Sequence, residues 1–76
     1  MRLFILNDNV NTFEHVTMVI QKYLNYPHLQ AGSIANIVHN NGVCEVKDSD
    51  DEVLITEIYQ SMVKEGLSMR IEGGGS

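Results

Sequence analysis

Leu3-Phe4-Ile5-Leu6-Asn7-Asp8-Asn9 is the stretch that decides the fold. A four-residue apolar run that stops on three polar turn formers reads as a buried strand entering a turn. That strand delivers Asn7 and Asp8 to a loop at the end of a rigid element, where polar side chains can face outward. Next, Asn11 is placed to cap a helix, with Glu14 three residues on to reach back to it. Phe13, Val16, Ile20, Tyr23 and Leu24 recur at helical spacing, which predicts a first helix from about Thr12 to Asn25.

Pro27 suits the opening turn of a second helix, and Gly42 stands where a left-handed C-terminal cap is usual. Between them Ala31, Ile34, Ala35 and Val38 form one stripe, with His39 four residues after Ala35 on nearly the same face. Val43 to Val46 predicts a short strand. Ser49 with Glu52 has the spacing of a second capping box, and the extra acids Asp50 and Asp51 suit the positive end of a helix dipole. This third helix is expected to reach about Glu65 and stop at Gly66. Leu67, Met69 and Ile71 then alternate with Ser68, Arg70 and Glu72, the pattern of a half-buried strand. The order β-α-α-β-α-β, without repeat or internal linker, predicts an α+β domain over residues 1–72, its three-stranded and mostly antiparallel sheet packed with three helices. Gly73-Gly74-Gly75-Ser76 reads as a linker or expression tail.

Seventy-six residues allow one modest core. The formal charge is −5, with acids concentrated between Glu45 and Glu57 and only five scattered basic residues, which argues against a nucleic-acid partner. No apolar run is long enough to span a membrane. The single Cys44 cannot form an internal disulfide, and the apolar run beginning at Leu3 leaves no room for a signal peptide, so a reducing cytoplasm is expected.

Taken one at a time, the candidate functional residues are ambiguous. Asn7 and Asp8 have an ordinary use as turn formers that bond their own backbone. His39 near a helix end is often only a solvated side chain. His15, His28, His39 and Cys44 lack the paired spacing of a zinc site, and no metal or cofactor is expected. Cys44 has no sequence signature of a nucleophile around it, and there is no glycine-rich phosphate loop. An enzyme is not expected.

The combination is more informative. Leu6-Asn7-Asp8, Phe13-Glu14-His15-Val16, Gln21-Lys22, Val38-His39 and Gly42-Val43-Cys44, in that order, resemble the ClpS family of bacterial N-end-rule adaptors, from about Leu3 to Glu72. The resemblance implies that Asn7, Asp8 and His39 hold the α-ammonium group of a substrate's first residue. The chemistry is consistent, because an ammonium offers three donors and is satisfied by a carboxylate, an amide oxygen and a neutral imidazole nitrogen. It also implies that the first side chain enters an apolar pocket walled by Phe13, Val16, Ala35, Val38 and Met69. For Val16 and Val38 the pocket reading and a plain core reading coincide. Ala35 stands where the family commonly carries a methionine that guards the mouth, so Ile and Val are expected to join Leu, Phe and Tyr as first residues. Phe13, where many relatives have methionine, is expected to disfavour Trp.

Expected partners are peptides or proteins with a free hydrophobic N-terminal residue and, by resemblance, a ClpA-type AAA+ unfoldase. Asp8-Asn9 and Asn11-Thr12 replace the Asp-Asp and Thr-Pro usual in relatives, and the segment Asp50 to Thr56 only loosely resembles the family's docking segment. Two rival readings stand beside this one. The chain could be a docking module that uses its acidic third helix regardless of peptide N-terminus, or a small hydrolase using Cys44 or His39.

Overall fold

The run after Arg2 becomes the central strand of the sheet. In this computed structural model, which describes residues 1–73, β1 (Arg2–Leu6) lies between β2 (Val43–Asp48) and β3 (Ser68–Glu72), and both pairings are antiparallel. With α1 (Phe13–Leu24), α2 (His28–Asn41) and α3 (Glu52–Lys64) the order is β-α-α-β-α-β, the α+β architecture expected from the sequence. Of the expected linker, Gly74 to Ser76 lie outside the described residues.

β1 is apolar at consecutive positions because it is covered on both faces. Leu3 and Ile5 are wholly buried in the core with Val19 and Ile20 of α1, Val38 of α2, and Ile55 and Met62 of α3. Phe4 points to the opposite face and is only 8 % exposed, since the guanidinium groups of Arg2 and Arg70 stack over its ring at 5.2 and 4.9 Å. Arg70 is the cross-strand neighbour of Phe4, and Arg2 is ion-paired to Glu45. Between Leu3 and Phe4 the register with β2 slips and Val46 is left without a ladder partner, as at a bulge. The Val46 carbonyl instead accepts from the Tyr26 hydroxyl, which ties the α1–α2 connection to the sheet edge.

Two helix starts differ from expectation. Thr12, not Asn11, caps α1, its Oγ1 accepting from the His15 backbone N–H at 3.1 Å. Asn11 is occupied elsewhere, bonding Asp8 and the Gly66 carbonyl. Likewise Asp51, not Ser49, caps α3 by accepting from Leu54 N at 3.0 Å, because β2 runs on to Asp48 and Ser49 is held at the ladder end by Met1. α2 ends as expected on Gly42 in the left-handed region, φ 88°. A Cβ at Gly42 would meet nothing within 4 Å, so Gly42→Ala bears a backbone cost alone. It should lose about 1 kcal/mol in urea denaturation, and a change below a few tenths would show the cap to be unstrained.

Candidate functional site

The end of β1 and the end of α2 are joined by one backbone bond, Asn7 N–H to the Gly42 carbonyl at 2.8 Å. His39 lies in the last turn of α2, three residues before Gly42, so this bond sets Asn7 and His39 side by side. With Asp8, Asn9, Asn11, Thr12 and Phe13 they line an open hollow of about 540 Å³. Two helix ends meet there. The donor end of α1 suits the Asp8 carboxylate, and the carbonyl end of α2 favours a cation near His39.

Asp8 is engaged at both carboxylate oxygens. Oδ1 accepts from Val10 N at 2.9 Å and Asn11 N at 2.8 Å, and Oδ2 accepts from Asn11 Nδ2 and Ser68 Oγ, each at 2.8 Å. The backbone bond from Asn11, with those from Val10, Ser68 and the Asn11 amide, outweighs partial burial and holds the carboxyl at about 2, below its ordinary 3.8. Asp8 is therefore a turn former in the plain sense as well as a fixed negative charge, and its roughly four acceptor positions already have donors. Asn7 and His39 differ. Both are exposed, and among the described residues no hydrogen bond engages either side chain.

Beside the hollow lies a smaller chamber of about 30 Å³ lined by the apolar Phe13, Val16, Ala35 and Val38 together with Asn7, Asn11, Thr12 and His39. Four of the five expected wall residues thus gather around one space. Met69 is not among its lining residues. It faces Ile5 across the β1–β3 ladder and is packed, half-buried, against the core. Ala35 is 3 % exposed, and the Phe13 ring stands over the neighbouring turn of α2 at Gly32.

Asn9, Asn11 and Thr12 line the hollow without having been singled out as site residues. The only local signal for them was the polar run that follows Leu6. His15 stands apart from the site, its Nε2 donating to the Glu65 carbonyl at 2.7 Å. The Cys44 thiol is pushed up by burial and, secondarily, by Glu45, which disfavours the thiolate a nucleophile needs. Among the described residues no three His, Cys, Asp or Glu side chains converge as a metal site would require, and no helix is long and apolar enough to cross a membrane.

The family model for "ATP-dependent Clp protease adaptor protein ClpS" matches residues 1–69, a span that includes the hollow, the chamber and Ser68. No curated protein matches the chain. With that match covering most of its length and the β-α-α-β-α-β order in place, the chain belongs to the ClpS family of Clp protease adaptors.

Proposed function

We propose that this chain binds peptides and proteins by their free N-terminal residue, as an N-degron-recognising adaptor in the cytoplasm. Asn7 and His39 present open acceptors to the α-ammonium, and Asp8 adds a fixed negative charge and shapes the loop. A bulky hydrophobic first side chain, Leu, Phe or Tyr and also Ile or Val, goes between α1 and α2 against Phe13, Val16, Ala35 and Val38, with Met69 in the layer behind. The observation that carries this reading is the pairing of two unengaged acceptor side chains with an ionised carboxylate at the mouth of an apolar chamber. A ClpA-type unfoldase is the partner to which bound substrates pass.

Hydrogen bonds to a charged group contribute roughly 1.5 to 3 kcal/mol each, a buried Leu or Phe side chain about as much, and association costs several kcal/mol. A dissociation constant of about 1 μM follows. Titration with a Leu-first peptide, free and N-acetylated, tests the reading: only the free form should bind. Affinity should also decline as pH rises through the peptide α-amine's pKa of about 7.7 to 8.0. Comparable binding of the acetylated peptide would refute the assignment. It would point to the second reading, docking through α3, for which the exposed Val53 and Leu54 beside Asp50, Asp51 and Glu52 speak.

A further inference from the structure

The bonds on Asp8 fall into two sets. Oδ1 accepts only from the backbone of Val10 and Asn11, two and three residues on, a local set that closes the turn wherever the loop stands. Oδ2 accepts from Asn11 Nδ2 and Ser68 Oγ, each at 2.8 Å, and both donors are tied to the corner between α3 and β3. Asn11 Nδ2 also donates to the Gly66 carbonyl at 2.8 Å, and Ser68 opens β3. The sheet register places Ser68 for this contact. It pairs with Leu6, and Asp8 lies two residues beyond Leu6, the diagonal position that a cross-strand side chain can reach. Ser68 is half-buried, yet it lines neither the hollow nor the chamber. Strand propensity, which favours β-branched and aromatic residues, does not account for a serine there.

We propose that Ser68 is a positioning residue of the amine-binding mouth: its hydroxyl holds the Asp8 carboxylate against β3, and through it the loop that carries Asn7, without touching the ligand. The inference rests on the N-terminal-residue reading above. One tie of the loop runs from the Asn7 N–H to the Gly42 carbonyl at the end of α2, and the bond from Ser68 ties it to β3. Between these two ties the negative charge stands at a fixed place relative to Asn7 and His39. Hydrogen bonds to an ionised group are the strong ones, so the loop is ordered before a ligand arrives. Loss of the hydroxyl leaves Oδ2 with one donor and moves part of the cost of ordering the loop to the binding step.

Ser68→Thr and Ser68→Val introduce side chains of nearly the same shape that differ in the hydroxyl. Wild type and both variants, each checked for folding by circular dichroism, are titrated with a Leu-first peptide, free and N-acetylated. Ser68→Thr should bind the free peptide within about twofold of wild type, and Ser68→Val about fivefold more weakly. A residue that served only the strand would give no such split, because valine suits a strand as well as threonine does. The Asp8 carboxyl, followed by NMR, should stay near about 2 in Ser68→Thr and titrate at higher pH in Ser68→Val, where the ionised form has lost a donor. If wild type separates free from acetylated peptide while the two variants bind alike, the positioning role is wrong and the site stands. A split in affinity with coincident Asp8 titrations would also overturn it, by showing that the hydroxyl acts elsewhere. Should Ser68→Val not fold, Ser68→Ala takes its place beside Ser68→Thr. Loss of discrimination in wild type overturns the N-terminal reading and the role of Ser68 with it.

Discussion

Alanine at Asp8 is expected to lower stability by about 2 to 3 kcal/mol and to weaken peptide binding at the same time. The substitution leaves Val10 N, Asn11 N, the Asn11 amide and the Ser68 hydroxyl without their acceptor. Solvent can reach part of this loop, which keeps the loss below the sum of four separate bonds. Because the folded carboxyl is held at about 2 against an ordinary 3.8, the unfolded chain takes up the proton first. The contribution of Asp8 is therefore fully present above about 3.8, declines as pH falls, and is gone below about 2. Urea denaturation of wild type and Asp8→Ala should show a gap at neutral pH that shrinks in strong acid, with Asp8→Asn intermediate. A gap independent of pH would mean that ionisation is not what the loop uses. Binding should fall too, since the same loop carries Asn7 to its place beside Gly42.

His39→Ala should do the opposite: a loss of binding with almost no change in folding. The imidazole is exposed and makes no hydrogen bond among the described residues, so stability should stay within about 0.5 kcal/mol. One bond to a charged ammonium is worth roughly 1.5 to 3 kcal/mol, which corresponds to a loss of about ten- to a hundredfold in affinity. His39→Gln keeps a neutral acceptor and should recover part of it. His39→Lys sets a cation against the ammonium and should be the weakest of the series. Unchanged affinity in His39→Ala would remove His39 from the site. The pair of results separates the two roles, with Asp8 shaping the loop and supplying charge and His39 acting only on the ligand.

Much of the fold was legible because its signals are local. The stop from Leu6 to Asn7, the helical recurrence from Phe13 to Leu24, Gly42 as a left-handed cap, and the alternation after Gly66 each need only neighbouring residues to be read. The caps were misread by one and two residues for a non-local reason. Asn11 and Thr12 can both cap a helix, and Asn11 is withdrawn by the Gly66 carbonyl 55 positions away, just as Ser49 is withdrawn by Met1.

By itself the sequence determined the element order, the central apolar strand and the residues from which a polar mouth and an apolar wall could be built. Hydrophobic period and turn chemistry act over a few residues and do not depend on what packs against them. Only the tertiary structure decided that Asp8 is occupied on both oxygens, one of its donors lying 60 positions away on β3. It alone left Met69 out of the chamber's lining and opposite Ile5 in the ladder, and set the Phe13 ring over Gly32. Those outcomes depend on which distant groups arrive as partners and on how much space they leave.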